Sequence, residues 1–269
     1  MGQLVLRLRA APDQRLDMSP LTPQGLAGKS LGEIERIALQ TTRRAICVGD
    51  IFDVSGDSAE SIVVAAGSDR FDRVGEGMSA GSIVVEGDVG NRAGRLMAGG
   101  QLAVRGNAGH WAASGMTAGT IEIDGSAGDY LGGPLAGEIQ GMNGGTVIVR
   151  GNVGDRVGDR LRRGMLIVEG NAGDGAGARM LAGTLIVLGS VGPGAGYLLR
   201  RGTLALGAIR GDLGPTFLDC GVHDLVSHRL MAAFVRPLSE AAARLFGAPL
   251  RRYIGDTALL GKGEVFIAI

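Results

Sequence analysis

The middle of this chain repeats a short aliphatic run that ends at a glycine, with a period of 19 residues. The step from Gly125 to Gly151 is longer, at 26 residues, and contains a seven-residue insertion around Pro134. The closing glycines are Gly87, Gly106, Gly125, Gly151, Gly170 and Gly189. A fixed period near 20 residues, with short strands and glycine corners, is typical of a β-solenoid.

Within each repeat, aliphatic and variable residues alternate, as expected of a strand that is buried on one face. Aligning the repeats predicts four inward columns, which successive coils about 4.8 Å apart would pack into one core. The first two columns are Ile83, Leu102, Ile121, Val147, Leu166, Leu185 and Leu204, and Val85, Val104, Ile123, Val149, Val168, Val187 and Leu206. The other two are Met78, Met97, Met116, Met142, Leu161, Met180 and Leu199, and Val74, Ala93, Ala112, Leu131, Val157, Ala176 and Ala195.

We therefore expect an all-β fold, a right-handed parallel β-helix of glycine-rich coils. The glycines should supply corner dihedral angles that a Cβ would oppose. Asparagines that follow them, such as Asn107, Asn152 and Asn171, should tolerate left-handed backbone. A left-handed acyltransferase helix is disfavoured because the repeat has no six-residue phase.

The repeat divides the chain into three predicted segments. Residues 1–60 form an N-terminal α/β cap with entry strands, 61–212 the glycine-repeat β-helix, and 213–269 a C-terminal helical cap and tail. Two helices are predicted in the last segment, over His223–Phe234 and Leu238–Phe246, and Glu264–Ile269 could be a strand. Such caps are needed because open end coils present unpaired strand edges.

Composition excludes several classes of protein. The formal net charge is zero, so no overall field attracts nucleic acid or an acidic membrane. Two cysteines are too few for a disulfide framework, and neither an apolar leader nor an 18-residue apolar stretch is present. We expect a cytoplasmic protein with no membrane or nucleic-acid partner.

Few residues suggest chemistry. Cys220, His223 and His228 have a C-x2-H-x4-H spacing, but a tetrahedral metal site would need further ligands. The glycine cluster Gly192–Gly196 and the tail Gly255–Glu264 resemble nucleotide-binding loops only partly, and we interpret both as structural corners. We predict neither a metal site nor a catalytic residue.

Arginines recur at equivalent positions of successive repeats and would gather guanidinium groups along one side, suited to carboxylate or phosphate. The alternatives are contact with an acidic patch of a partner subunit and ordinary surface ion pairing with neighbours such as Asp155 and Asp159. The candidate binding residues are Arg156, Arg160, Arg162, Arg163, Arg200 and Arg201.

Apolar residues also occupy the middle position of several strands, which should face outward. Ile148, Ile167 and Ile186 form such a column in three successive repeats, and it should not face water. Either the C-terminal helices or a partner subunit must cover it. His110, followed by Trp111 at a corner, is expected at the surface or an interface.

Nearly the whole chain resembles a known family. The matching elements are GDIFDVSGD (Gly49–Asp57), the repeats from 61 to 207, GPTFLDCG (Gly214–Gly221) and RRYIGDTALLGKGE (Arg251–Glu264). Their combination resembles the C subunit of formylmethanofuran dehydrogenases and of the bacterial formyltransferase/hydrolase complex. The repeat alone is also similar to the C-terminal structural domain of glutamate synthase large chains.

The resemblance implies a non-catalytic subunit in one-carbon metabolism. The complex would convert formyl-tetrahydromethanopterin via formylmethanofuran to formate during formaldehyde oxidation in a methylotroph. Its partners would be an amidohydrolase-like hydrolase subunit, a formyltransferase subunit and a molybdopterin-enzyme-like subunit. The implied cofactors, a methanofuran-type carrier with a glutamate-rich tail and tetrahydromethanopterin, would be used by the complex, and the arginines could hold that tail. The alternatives are the C subunit of a molybdenum or tungsten dehydrogenase, or a glutamate-synthase-like module.

Overall fold

The computed structural model describes residues 2–41 and 43–269, and this part of the chain is mostly β with few helices. The helices are α1 Pro23–Leu26, α2 Leu31–Glu35, α3 Val48–Ile51, α4 Val226–Val235 and α5 Glu240–Leu245. The strands are β1 Leu4–Leu8, β2 Leu16–Asp17, β3 Ala38–Leu39, β4 Ile46–Cys47, β5 Phe52–Gly56, β6 Ser61–Val64, β7 Phe71–Asp72, β8 Ser82–Val85, β9 Ala98–Val104, β10 Ala118–Ile123, β11 Asn143–Val149, β12 Arg163–Val168, β13 Thr184–Val191, β14 Arg201–Ile209, β15 Leu218–His223, β16 Leu250–Gly255 and β17 Lys262–Ala268.

One large mixed sheet contains 13 of these strands. Its order is β15-β16-β17-β14-β13-β12-β11-β10-β9-β8-β6-β1-β5. From β6 to β14 every pair is parallel, and equivalent residues of successive repeats lie opposite each other, as Leu166 does to Leu185. The antiparallel pairs are at the two ends, where β5 joins β1 and where β16 joins β15 and β17.

The four predicted inward columns are confirmed. All of their residues are at most 3 % exposed and belong to one continuous core. A fifth buried column was not predicted from the sequence; its members are joined by isolated parallel bridges and pack into the same core. The buried residues in that column are Val89, Ala108, Ala127, Val153, Ala172 and Val191, and the first of them is also bridged to Ser68.

The asparagines after the closing glycines play a different role from the predicted one. None of Asn107, Asn152 and Asn171 is among the residues with positive φ. Their side-chain oxygens instead accept hydrogen bonds from backbone N–H groups one repeat later, at 2.8 Å in each case. They are therefore links between repeats rather than left-handed corners.

The closing glycines are needed mainly because backbones approach closely. A Cβ on Gly170 would lie 2.5 Å from the carbonyl oxygen of Gly151, and φ at Gly170 is not positive. The predicted role in corner dihedral angles applies to one closing glycine, Gly87, whose φ is 137°, and to other glycines such as Gly164 in β12, whose φ is 92°.

The C-terminal helices cover the outward apolar column. Ile148, Ile167 and Ile186 are at most 1 % exposed and form a second core with residues of α4, α5, β16 and β17. Val235 and Ala242 are the fully buried helical contributions to that core. Of the two possible covers predicted from the sequence, the structure shows the helices.

Both ends of the repeat region are more β-rich than predicted. The two expected C-terminal helices are present as α4 and α5, but the antiparallel strands β15 and β16 were not predicted as strands. The last stretch forms β17, which pairs parallel with β14 and so extends the large sheet. At the N-terminus, β1 pairs with both β5 and β6.

Candidate functional site

Three strands of the large sheet begin at a cationic residue on the same side of the molecule. β12 begins at Arg163, β14 at Arg201 and β17 at Lys262. Arg201 and Lys262 are direct partners in the parallel pairing of β14 with β17. Like charges opposite each other on neighbouring strands are unfavourable, so this arrangement favours an anionic partner.

Further arginines enlarge this cluster. Arg162 and Arg200 immediately precede two of the cationic strand starts, and Arg160 lies two residues before Arg162. We call the following set the cationic edge: Arg160, Arg162, Arg163, Arg200, Arg201 and Lys262. Arg160 is half-buried and the other five residues are exposed.

No residue of the cationic edge forms an ion pair among the described residues. Arg160 donates to the backbone carbonyl of Glu138 at 2.9 Å, and Arg162 donates to the side-chain carbonyl of Gln140 at 2.6 Å. These neutral acceptors leave the positive charge uncompensated. The alternative of pairing with Asp155 and Asp159 is wrong for these arginines.

The two aspartates are occupied elsewhere. Asp159 is fully buried and binds Arg179 through both carboxylate oxygens. Arg179 consequently has a raised pKa, chiefly through the hydrogen bonds from its side chain to Asp159. Asp155 accepts the backbone N–H of Asp174 at 2.8 Å.

A shallow depression of about 320 Å³ joins part of the cationic edge to apolar side chains. Ile139, which belongs to the long repeat between Gly125 and Gly151, lies at the rim of this depression and is 84 % exposed. The depression is lined by Ile139, Arg160, Arg179, Leu181, Leu198, Arg200 and Leu259. Such a lining suits an anion that has some apolar surface.

The insertion that carries Ile139 is held in place by Glu138. The Glu138 carboxylate accepts from Arg95 at 2.5 Å and from the backbone N–H of Leu135 at 2.9 Å. Because Arg160 also donates to the carbonyl of Glu138, the insertion and the cationic edge are connected.

Arg156 does not join the other candidate arginines. It lines a separate depression of about 420 Å³ that also contains Asp174, Pro193 and Tyr197. The structure therefore brings five of the six candidate arginines together and places one apart. Lys262 was not predicted because it lies outside the repeat, and the pairing of β17 with β14 has no periodic signal in the sequence. The one indication was its residue type, since the chain has only two lysines.

The histidines have structural surroundings. His228 is 2 % exposed and packs edge-on against Phe266, with ring centroids 4.7 Å apart. The Nε2 atom of His223 lies 2.9 Å from the carbonyl oxygen of Cys220. The Nδ1 atom of His110 accepts the backbone N–H of Asp129 at 2.9 Å. Across residues 2–41 and 43–269, no group of three or more His, Cys, Asp and Glu side chains could hold a metal ion.

The two glycine-rich segments are turns. Gly192–Gly196 includes the turn between β13 and β14. In the tail, the buried Asp256 accepts the backbone N–H groups of Leu198 at 3.2 Å and Ala258 at 2.9 Å. No helix of the described chain is long and apolar enough to cross a membrane.

Comparison with known proteins identifies one relative that matches nearly the whole chain and one that matches a shorter part. No protein-family model matches the chain. It is 51 % identical, over 97 % of its length and 98 % of the relative's, to the C subunit of the formyltransferase/hydrolase complex Fhc of Methylorubrum extorquens. Over 23 % of each chain it is 33 % identical to the C subunit of the tungsten-containing formylmethanofuran dehydrogenase 2 of Methanothermobacter thermautotrophicus.

A crystal structure agrees with the sequence comparison. The chain matches the formyltransferase/hydrolase complex FhcABCD of Methylorubrum extorquens, solved in complex with methylofuran, with a TM-score of 0.92 and 46 % identity. The match covers 98 % of this chain and 99 % of the other. Both comparisons extend over the repeats and both end segments, so the chain belongs to the family formed by the C subunits of formyltransferase/hydrolase (Fhc) complexes.

Proposed function

We propose that this chain is the non-catalytic scaffold subunit of a formyltransferase/hydrolase complex in one-carbon metabolism. The observation that carries the proposal is the match, over nearly the whole length of both chains, to the C subunit of such a complex. The reaction would convert formyl-tetrahydromethanopterin via formylmethanofuran to formate. The dehydrogenase alternative has weaker support, because that match covers 23 % of the chain.

A scaffold role is supported by the structural contacts that the potential acid–base groups make. His228 packs between phenylalanine rings, and His110 accepts a backbone hydrogen bond. The fully buried carboxylate, Asp159, is neutralised by Arg179. The Nδ1 atom of His110 also lies 3.4 Å from the Asp129 carboxylate, but the backbone N–H of Asp129 already occupies that nitrogen. None of the three groups is placed beside another of the three as a general acid and base would be. The two unpaired cysteines, both half-buried, fit a reducing cytoplasm.

The scaffold itself is proposed to be a right-handed parallel β-helix over 61–212, with caps over 1–60 and 213–269. In-register parallel pairing from β6 to β14 supports stacked coils. Isolated bridges such as Ala108 with Ala127 give a second line of contact between the same coils. Right-handedness follows the strong preference of parallel crossover connections.

The cationic edge is proposed to hold an extended polycarboxylate, the glutamate-rich tail of the methanofuran-type cofactor. Support comes from its exposed, unpaired charges and from the like-charged neighbours Arg201 and Lys262. Each exposed contact contributes about 0.2–1 kcal/mol, so several together would bind the tail loosely without fixing its position. Arg156 lies apart from this edge and is not included in the proposed tail-binding site.

The scaffold proposal is tested by separating the chain from its partners. The purified chain, checked for metal, should neither hydrolyse formylmethanofuran nor transfer its formyl group. The complex reconstituted from this chain and the other three subunits should do both. Turnover by the isolated chain above the uncatalysed rate would contradict the non-catalytic role, and failure to assemble would contradict membership of the complex.

The cationic edge is tested by reversing Arg162 and Arg163 to Glu in the assembled complex. If these residues bind the cofactor tail, the complex should form normally and its cofactor KM should rise several-fold, most clearly at low salt. Arg105→Glu is the matched control, because Arg105 already pairs with Asp124 away from this edge. Failure of assembly would instead assign the edge to an acidic partner surface, and unchanged assembly and KM would contradict both roles.

A further inference from the structure

One corner position carries a large side chain with left-handed backbone in five successive repeats. The first of these residues, Arg73, has its guanidinium paired with Asp17 and Glu76. The other four are Arg92, Trp111, Tyr130 and Arg156. The values of φ are 63° at Arg92, 57° at Trp111, 59° at Tyr130 and 58° at Arg156. Each residue donates its backbone N–H to a carbonyl of the next repeat, at 2.7–2.9 Å. These equivalent hydrogen bonds show that the four residues occupy one register, which we call the stacked corner.

The fold does not require large residues at this position. The same register holds Gly175 in the next repeat and Gly194 in the one after it, with φ of 70° and 76°. Gly175 makes the equivalent backbone hydrogen bond, to Pro193 at 2.9 Å. Left-handed backbone is strained for residues with a Cβ and relaxed for glycine, so the four large residues are retained at a cost to folding.

The aromatic pair forms the centre of this surface. The rings of Trp111 and Tyr130 stack with centroids 5.6 Å apart and an interplanar angle of 13°. Both residues are half-buried, and the exposed His110 lies beside Trp111, with ring centroids 5.7 Å apart. The stack thus offers a rigid apolar surface at the corner.

An arginine flanks the pair on each side, and on the Arg156 side the exposed carboxylates of Asp155 and Asp174 line the same depression. Arg92 and Arg156 are exposed, and neither forms an ion pair within residues 2–41 and 43–269. Trp, Tyr and Arg are also the residues that contribute most often to the energetic centres of protein interfaces. Strain, ring stacking and unpaired charge therefore coincide in one register.

We propose that the stacked corner is a docking site for another subunit of the complex, through a partner surface with an apolar centre flanked by carboxylates. The inference rests on the proposed function, because it needs the assembled complex. The site is distinct from the cationic edge, since Arg156 lines a different depression from Arg160 and Arg200.

A second copy of this chain fits the site less well. A two-fold contact between two stacked corners would bring the exposed arginines of one copy toward those of the other, which is unfavourable. A carboxylate-bearing surface of a different subunit would pair with Arg92 and Arg156 and bury Trp111 and Tyr130. Charge complementarity therefore favours a partner subunit.

The test replaces the aromatic residues by the glycine that other repeats use. Trp111→Gly and Tyr130→Gly should keep a thermal midpoint close to that of the unaltered chain, because relief of left-handed strain offsets the lost ring contact. Binding of the isolated chain to the other three subunits should weaken at least about tenfold. Leu96→Gly is the matched control: Leu96 is also left-handed, with φ of 54°, and is exposed, but lies in a different register.

A second pair of variants tests the charges without touching the stack. Arg92→Glu with Arg156→Glu should slow association of the chain with the other subunits, most strongly at low salt. If the unaltered chain assembles and the glycine variants bind with unchanged affinity, the docking site is wrong while the proposed function stands. If the unaltered chain does not assemble, the proposed function itself fails. A change in the oligomeric state of the isolated chain caused by Trp111→Gly would identify a second copy as the occupant and overturn the assignment to a partner subunit.

Discussion

The side-chain oxygen of Asn152 accepts a hydrogen bond from the backbone N–H of Asn171, its equivalent one repeat later, at 2.8 Å. Asn171 in turn accepts from the backbone N–H of Ser190 at 2.8 Å. In the same way, the Asp88 carboxylate accepts the backbone N–H of Asn107 at 2.7 Å, and the side-chain oxygen of Asn107 accepts the backbone N–H of Ser126 at 2.8 Å. Short polar side chains after the closing glycines thus connect each repeat to the next.

Removing one such acceptor should weaken the repeat stack. Asn171→Leu keeps a similar shape but leaves the N–H of Ser190 without its partner, so the free energy of unfolding should fall by about 0.5–1.5 kcal/mol. Asn171→Asp keeps an accepting oxygen and should cost less. Denaturant midpoints of the two variants measure the difference, and equal midpoints would show that the hydrogen bond contributes nothing.

A closing glycine should tolerate no side chain. In Gly170→Ala the new Cβ would lie 2.5 Å from the carbonyl oxygen of Gly151, so the two backbones must separate, at a cost of about 1–3 kcal/mol. Gly214→Ala is the control, because its Cβ would have only Thr216 within 4 Å, at 3.9 Å. Thermal unfolding of both variants checks this. A Gly170 variant as stable as the control would mean that the backbones are not so close.

The inward columns should dominate stability. Leu166→Ala empties a fully buried position in the continuous core and should cost about 2–5 kcal/mol. Thr184→Ala changes a half-exposed residue at the start of β13 and should cost less than about 1 kcal/mol. The urea midpoints of the two variants measure this difference. Equal shifts of the two midpoints would contradict the observed register.

The repeat region was predictable because one physical pattern occurs many times. Each inward position is sampled in seven repeats, so a column such as Met78 to Leu199 stands out although no single repeat is distinctive. The end segments offer no such averaging. β15 and β16 pair with each other across α4 and α5, and nothing in Leu218–His223 alone predicts that pairing.

For the candidate site, the sequence predicted which arginines occupy equivalent positions but not which of them form ion pairs. Register placed Arg162, Arg163, Arg200 and Arg201 at equivalent points of the repeats, and the strand pairing puts those points on one side of the sheet. Register could not show that the buried Asp159 binds Arg179 rather than its neighbour Arg160. Ion pairing depends on side-chain packing in three dimensions, so the uncompensated charge became visible only in the structure.

His228 should make the packing of the C-terminal helices on the sheet sensitive to pH. It lies in α4 against Phe246 and Phe266, and neither ring nitrogen has a hydrogen-bond partner within the described chain. Burial is the main cause of its lowered pKa, because the charged ring would lose its hydration there. The carboxylates of Asp224 and Glu264 favour the charged form, and His223 and Arg252 oppose it.

The protein should therefore lose stability as the pH falls below the ordinary histidine pKa of about 6.5. Below that pH, His228 binds a proton in the unfolded chain but stays neutral in the folded protein. The contribution of His228 to the free energy of unfolding is therefore fully present above the ordinary pKa. It decreases by at most about 1.4 kcal/mol per pH unit as the pH falls. The decrease ends once the pH passes the lowered pKa of the folded state. His228→Leu removes the titrating group while keeping an apolar side chain beneath α4. Comparing urea midpoints of both proteins at pH 8 and at pH 5.5 isolates the contribution of His228 from that of other titrating groups. The unaltered chain should lose more stability than the variant over this interval, and parallel losses would show that His228 is not held neutral between Phe246 and Phe266.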